Sequence, residues 1–375
     1  MSEKKRLLVV SSFAESLVNF RLMLMQDAIA DGFEVHACAP DFTPPIREQL
    51  QAASISTHDI LLSRNGLNPI LDIATLFSLW RLINKVQPTH QLAYTIKPVI
   101  YASLAARLAG VPKIGALVTG LGYAFMQADN RRQKWVGWIA RWLYKCSLSG
   151  TSVVFFQNPD DRQLFIDNRL VKASKVRIVN GSGIDLKQFS HQPLPSGDSL
   201  HFVIIGRILA DKGMREFAAA ATTIRQRHPN TRFHLVGWLD SNPSAIQQSE
   251  LDCWLAEGAL TFHGKLDDVR DIIAQSHVYV LPSYREGTPR TVLEAMAIGR
   301  AIITTDAPGC RQTIEDGVSG WLIEVANVDA LVKAIERYIN NSALIKQHGN
   351  NARRRAEAVY DVKKVNKDML EGLQK

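Results

Sequence analysis

The sequence predicts an α/β protein of two similar halves, each an open parallel sheet covered by helices. Three observations carry this. At 375 residues the chain is long for one compact core and comfortable for two domains of ordinary size. Short apolar runs alternate with helically periodic stretches along its whole length, the pattern of successive βαβ units. Near the middle, residues 190–199 gather two prolines, a glycine and three serines, the composition of a linker.

In the first half, residues 7–10, 34–39, 113–118 and 153–157 read as strands. In the second, the strands are 201–205, 232–236, 278–282 and 301–304. Most are apolar throughout rather than alternating, as strands of a parallel sheet covered on both faces are. A helix is expected to enter at Pro289, in its first turn, and to end at Gly299. The stretch 343–373 reads as a long final helix, with Arg353 to Arg355 on a solvated face. The expected organisation is a Rossmann-like domain over 1–190, a second over 191–355, and a C-terminal helix, 356–375, packing back on the first. Two such domains would face each other across a deep cleft, with ligands at the carboxyl ends of the strands.

Composition narrows the classes. Four cysteines, Cys38, Cys146, Cys253 and Cys310, show no C-x-x-C spacing, which argues for a reducing compartment and against a disulfide framework or a zinc site. The N-terminal residues run into the first strand without the apolar core of a signal peptide. The most apolar long stretch, 98–118, is broken by Arg107, Pro112 and Lys113, too often to span a bilayer. A cytosolic protein is expected. Residues 1–190 hold 22 Lys and Arg against 14 Asp and Glu, whereas the rest hold 22 against 22. That asymmetry suits an anionic membrane surface, a diphosphate-bearing acceptor or a nucleic acid, or simply a well-solvated basic domain.

The densest chemistry lies in the second half. After the strand 201–205, Gly206 lets the backbone turn closely, and Arg207 and Lys212 follow at the strand's carboxyl end. Arg supplies a planar fork for phosphate oxygens and Lys a mobile point charge. Either alone is more often a surface residue; the G-R-x4-K-G context makes a diphosphate site the better reading. Glu286, Gly287, Thr288 and Pro289 then open the helix that carries Glu294. Its N-terminus exposes N–H groups suited to an anion or a sugar oxygen. Glu286 can accept from sugar hydroxyls and Glu294 from a ribose diol. Cationic and acidic clusters together point to nucleotide-sugar chemistry.

On these motifs the chain resembles the family 4 glycosyltransferases, the retaining class with the GT-B fold. The likeness extends to Val179-Asn-Gly-Ser-Gly-Ile-Asp185, Phe262-His-Gly264 and Asp316-Gly-Val-Ser-Gly320. The resemblance implies that Arg207 and Lys212 neutralise the donor diphosphate, Glu294 holds the ribose and Glu286 contacts the transferred sugar. Arg207, Lys212 and Glu286 are then the catalytic residues. Gly206, Gly287, Thr288, Pro289 and Glu294 complete the donor site. It also implies front-face attack, with the leaving phosphate taking the acceptor proton, and no metal. A UDP-sugar is the implied co-substrate.

The first half departs from the family's usual pattern. The glycine-rich loop after the first strand is replaced by a segment running from Ser11 to Asn19 and Arg21, which can still present hydroxyls and N–H groups. Thr119, Gly120 and Gly122 stand where many relatives carry a histidine; a ligand's close approach or a simple turn would each explain them. Lys97 ends an apolar segment just before a helix, as an acceptor-phosphate ligand or as an ordinary surface lysine. The "FR" ending at Arg21, Gly-Leu-Gly at 120–122 and Pro-Gly-Cys310-Arg resemble the enzymes that add a hexosamine to undecaprenyl-diphosphate-linked sugars. Asn19, Arg21, Lys97, Thr119, Gly120 and Gly122 are the acceptor candidates.

A lipid partner has separate support. At helical spacing Trp135, Trp138 and Trp142 fall within about 60° of one another. Arg131, Lys134, Arg141 and Lys145 flank them, and Ile139, Leu143 and Cys146 widen the apolar side. Trp beside Lys and Arg suits a helix lying on anionic lipid, although such stripes are more often core. Peripheral contact with the inner face of the cytoplasmic membrane is the expectation. The competing functions are a nucleotide-sugar epimerase on the same fold, which needs no Trp-rich basic helix, and a transferase with a soluble acceptor. A nucleic-acid binder is disfavoured by the lack of any such motif.

Overall fold

The computed structural model describes residues 5–63, 68–121, 131–240, 242 and 244–375, with residues 131–133 described by their backbone alone. By packing the chain divides into two units, Met1–Ser182 with Lys363–Lys375, and Gly183–Val362.

The first unit begins β1 (Arg6–Val10), α1 (Glu15–Ala30), β2 (Glu34–Ala39), α2 (Pro44–Ala52) and β3 (Ser56–Asp59). It continues α3 (Pro69–Val86), β4 (His90–Tyr94), α4 (Ile96–Leu108), β5 (Lys113–Val118) and α5 (Arg131–Ser149). The last elements before the crossing are β6 (Val153–Phe156), α6 (Pro159–Asp167) and β7 (Val176–Ile178). The sheet order is β3-β2-β1-β4-β5-β6-β7, and each neighbouring pair runs parallel. Alternation along β1 sorts the core into two layers. Leu7 and Val9 pack with α1 and the C-terminal residues Val365, Met369 and Leu370; Leu8 and Val10 pack with α3 and α4.

The second unit holds β8 (Leu200–Ile205), α7 (Met214–Arg227), β9 (Thr231–Val236), α8 (Gln248–Ala256), β10 (Thr261–Phe262) and α9 (Arg270–Ala274). After these come β11 (Val278–Leu281), α10 (Arg290–Ile298), β12 (Ala301–Thr305), β13 (Gly320–Ile323), α11 (Val328–Asn340) and α12 (Ala343–Val359). This sheet is also all parallel, in the order β10-β9-β8-β11-β12-β13. In both sheets the strand order reverses direction once, between β1 and β4 and between β8 and β11. Helices diverge to opposite faces there, leaving a crevice at the carboxyl ends.

Several expectations change in detail. Residues 190–199 form no regular element, but they do not hang free: Arg300 donates to the carbonyls of Gln192 at 3.2 Å and Pro193 at 2.8 Å, and Gln192 donates to that of Ile298. The packing boundary falls instead at 182/183, where Ile184 bridges to Asp361 within the second unit. The long final helix is broken at Tyr360–Asp361, and α13 (Val362–Gln374) follows. From it Lys363 and Asn366 bind the Asp27 carboxylate of α1 at 2.6 and 2.7 Å. The Arg353–Arg355 run is not a solvated face. Arg353 donates to the carbonyls of Phe189 and Ala297, and Arg355 to those of Thr313 and Gln312; Arg354 alone points outward. Pro289 caps α10 from just outside its first turn, and Gly299 ends the helix at φ +91°.

Candidate functional site

Each candidate donor residue is positioned by the strand end before it. Gly206 and Arg207 leave β8, and a short 3-10 turn, Ala210–Lys212, brings Lys212 back across the end of β11. Gly213 makes the return possible. It sits at φ +73°, and a Cβ there would stand 2.2 Å from the Pro282 carbonyl oxygen, so only glycine lets the two strand ends approach this closely. From β11 the chain passes through Ser283 to Glu286. A second glycine, Gly309 at φ +81°, fixes the backbone there from the β12 side, and the Glu286 N–H donates to the Pro308 carbonyl at 2.9 Å.

The result is a compact polar cluster at the switch point. The Lys212 ammonium donates to Glu286 Oε1 in a short ion pair, and Ser283 Oγ donates to the same oxygen at 2.8 Å. Arg207 Nη1 donates to Asp240 Oδ2 at 3.0 Å, so it points along the β9 side of the same edge. Behind them, the Tyr284 hydroxyl donates to Glu216 at 2.6 Å and the Tyr284 N–H to the Asp211 carbonyl at 2.8 Å. Burial, and then the Glu216 carboxylate, push the Tyr284 phenol up to about 12, so it stays a neutral donor. Gly287, Thr288 and Pro289 lead straight into α10, whose N-terminus carries the positive end of the helix dipole.

Glu294 lies deeper than the rest. It is buried, and Arg290 Nε donates to its Oε1 at 3.0 Å. Burial raises its carboxyl above the ordinary range, with Arg290 opposing the rise. Cys310, also buried, has its thiol pushed up to about 12, chiefly by desolvation and then by the Glu286 charge, and is chemically quiet. The Tyr279 hydroxyl donates to the Ile205 carbonyl at 3.2 Å and accepts from the Thr291 hydroxyl at 2.6 Å, tying β8, β11 and α10 together beneath the site.

The acceptor candidates scatter around the carboxyl edge of the first sheet. Lys97 follows β4 and is no lone surface cation: its Nζ donates to Asp72 of α3 at 2.9 Å, with both side chains mostly covered. Thr119 and Gly120 follow the adjacent β5, half-buried, with open space where a Gly120 side chain would stand. Asn19 is exposed on α1. Arg21 is not at the surface; it is buried, its guanidinium 5.4 Å from the Tyr94 ring centre and 3.8 Å from the Met369 sulfur. Gly122 lies outside the described residues, as does the Arg131 side chain.

The structure adds residues that spacing could not single out. Thr95 Oγ1 donates to Ser12 Oγ at 2.9 Å, joining the ends of β4 and β1 at their switch point. Thr95 sits at φ +69°, ψ 160°, a region nearly reserved for glycine and costing a β-branched residue about 1–3 kcal/mol. In the second unit, Ser283, Asp240 and Glu216, the last in the first turn of α7, come from segments tens of residues apart, which no local motif signals.

The helix α5 buries Tyr144, Ser147 and Leu148 and turns the tryptophans outward. Trp135, Trp138 and Trp142 are exposed, as are Lys134, Arg141 and Lys145. The stripe is therefore not core. No helix among the described residues is long and apolar enough to cross a membrane.

A family described as "Glycosyl transferase 4-like" matches residues 7–158, and "Glycosyl transferases group 1" matches residues 199–341. The chain is a glycosyltransferase of this group. Among its relatives is the N,N'-diacetylbacillosaminyl-diphospho-undecaprenol alpha-1,3-N-acetylgalactosaminyltransferase of Campylobacter jejuni, 27% identical over 92% of each chain. Another is the UDP-Gal:alpha-D-GlcNAc-diphosphoundecaprenol alpha-1,3-galactosyltransferase of Escherichia coli, 27% identical, covering 82% of this glycosyltransferase and 80% of that one. The fold is shared with sucrose-phosphate synthase of Thermosynechococcus elongatus (TM-score 0.81, 18% identity, 98% of each chain). It is shared too with Anabaena HepE in complex with UDP and glucose (TM-score 0.77, 15% identity, 99% of each). The fold class is thus GT-B, as the motifs imply.

Proposed function

We propose that this glycosyltransferase moves an N-acetylhexosamine, with retention of configuration, from a UDP-sugar to a saccharide carried on undecaprenyl diphosphate in bacterial glycan assembly. It does so as a peripheral protein on the inner face of the cytoplasmic membrane. The observation that carries the donor half is the meeting of Lys212, Ser283 and Glu286 at the β8/β11 switch point, with Arg207 on the same edge. The two cations, set at strand ends beside a helix N-terminus, suit a nucleoside diphosphate.

In the reaction an acceptor hydroxyl oxygen attacks the anomeric carbon on the face from which the nucleotide departs. The bond from that carbon to the β-phosphate oxygen breaks, its electron pair stays on the phosphate, and that phosphate takes the acceptor's proton. Arg207, Lys212 and the α10 N-terminus stabilise the charge as it develops, so the mechanism needs no metal. Glu286 accepts from hydroxyls of the moving sugar, and Glu294 from the ribose. Both relatives named above make alpha linkages, and the Escherichia coli enzyme does so from UDP-Gal; an alpha product from an alpha-linked donor is retention. Their lipid-linked acceptors, with the exposed tryptophans of α5, support the membrane-borne acceptor.

The test uses purified protein, a panel of UDP-sugars and a short polyprenyl-diphosphate-linked saccharide, with and without EDTA, scored for UDP release and product mass. Acceptor-dependent UDP release, insensitive to EDTA, with a product one N-acetylhexosamine heavier is expected. Turnover on soluble acceptors alone would sink the lipid reading. Interconversion of UDP-sugars without acceptor would make the protein an epimerase.

A further inference from the structure

The helices of the first unit leave a second apolar stripe in solvent, away from the tryptophans of α5. On α3, Ile70, Ile73, Phe77 and Trp80 recur at helical spacing and all point outward, Ile70 and Ile73 being 78% and 68% exposed. The inner face of the helix is satisfied without them: Leu79 and Ile83 bury against β1 and α4. Phe77 and Trp80 stack on each other at 5.8 Å in water, and Arg81 lies 5.9 Å over the Phe77 ring. Scattered exposed apolar residues are ordinary; a continuous stripe of large ones along a helix marks an interaction surface.

Topology puts this stripe on the same face of the sheet as the tryptophans. The crossovers β3-to-β4, β4-to-β5 and β5-to-β6 all advance the same way along the sheet, so α3, α4 and α5 lie on one face. There α4 packs against both α3 and α5. The two outward stripes, with Trp135 and Trp138 being 66% and 61% exposed, thus belong to helices on one face of the sheet, either side of α4. Charge selects the occupant. The helix α5 contains no acidic residue, and the single one in α3, Asp72, is already paired with Lys97. Arg81, Lys85, Lys134, Arg141 and Lys145 are exposed around the stripes.

We propose that α3 and α5 together form a two-ridged seat for an anionic lipid bilayer, the apolar ridges entering the headgroup layer and the cations binding lipid phosphates. Apolar stripes rimmed by Lys and Arg, on helices of 18 and 19 residues that cannot span, are the features of surface-lying membrane helices. This deepens the membrane-borne part of the proposed function and rests on that reading only for its purpose. Two ridges fix the orientation of the unit on the membrane, which one helix could not do.

Flotation of the full chain with phosphatidylglycerol/phosphatidylethanolamine vesicles, and with phosphatidylcholine vesicles, tests it. Salt-sensitive binding to the anionic vesicles is expected. Ile73→Glu with Phe77→Glu should lower partitioning at least about tenfold, as should Trp138→Glu, with unchanged melting temperature. Ile73→Trp should tighten it. Partitioning of the α3 variant like wild type would overturn the seat. So would a wild-type dimer, seen by light scattering, that the α3 substitutions dissolve, since the occupant would then be a second copy. Vesicle binding that needs α3, in a protein that ignores lipid-linked saccharides, would keep the seat and remove the acceptor reading alone.

Discussion

Under the proposed function Lys212 has two partners of opposite chemical meaning: the Glu286 carboxylate it holds and the donor diphosphate it would neutralise. The two roles are separable by substitution. Lys212→Ala removes a positive charge from the point where the leaving phosphate gains a negative one, while Ser283 still donates to Glu286. Loss of one such preorganised donor costs about 10²–10³ in rate, so kcat/KM for transfer should fall by that order. Glu286→Gln keeps the shape and releases the ammonium. If Glu286 serves the sugar, calorimetry will find UDP binding unchanged or tighter while kcat falls steeply. If UDP affinity drops instead, Glu286 acts by positioning Lys212, and its contact with the sugar is wrong.

At the scale of elements, a row of histidines crosses the second sheet. His201 on β8 pairs with His234 on β9 at 3.0 Å, His234 pairs with His263 beyond β10 at 3.0 Å, and the His201 backbone N–H donates to His277 Nδ1 at 3.1 Å. Each ring pair needs a neutral acceptor nitrogen, so the ladder tolerates few protons. Burial first, and then the neighbouring His201, lower both His234 and His277 to about 4. Below the unfolded value of 6.5 the unfolded chain therefore binds more protons than the folded one. Stability is full above pH 6.5 and is lost as pH falls from there through about 4. Melting temperatures measured across that window should drop progressively, and His234→Gln should flatten the slope. An equal slope in that variant would place the acid sensitivity elsewhere. None of this ladder is legible in the sequence, because its members are up to 76 residues apart and meet only once sheet order is known. A different limit, the want of an apolar run, explains the strands that escaped. The strand β3 reads Ser-Thr-His-Asp with no apolar residue, β10 has two residues, and central β4 begins His-Gln. The donor loop was legible since Gly206, Arg207, Lys212 and Glu286-Gly287 follow apolar strands closely. The α3 stripe was not, since apolar residues at helical spacing look alike whether they face the core or the solvent.

For the molecule as a whole, the two packing units carry different kinds of polar edge. In the second, two cations, each paired with a carboxylate, lie at the carboxyl edge around the β8/β11 switch point. In the first, the corresponding β1/β4 point offers hydroxyls, Ser12 and a conformationally strained Thr95, with Lys97 already held by Asp72. Strain of about 1–3 kcal/mol persists only where surrounding contacts over-determine it, and it concentrates where ligands are bound. The proposed function divides the labour accordingly, with nucleotide recognition expected in the second unit and acceptor recognition in the first. Hydrogen exchange reads it directly, since binding raises protection where the ligand orders the backbone. UDP should protect peptides containing 206–213 and 283–294 most, and a polyprenyl-diphosphate saccharide should protect those containing 11–21 and 95–97. Thr95→Gly should relieve the strain and raise the melting temperature, while weakening acceptor-dependent turnover and leaving the UDP-induced protection in place. If UDP alone protects 95–97 as strongly as 206–213, the strained edge belongs to the donor, and the acceptor must be sought at the exposed end of α1, around Asn19.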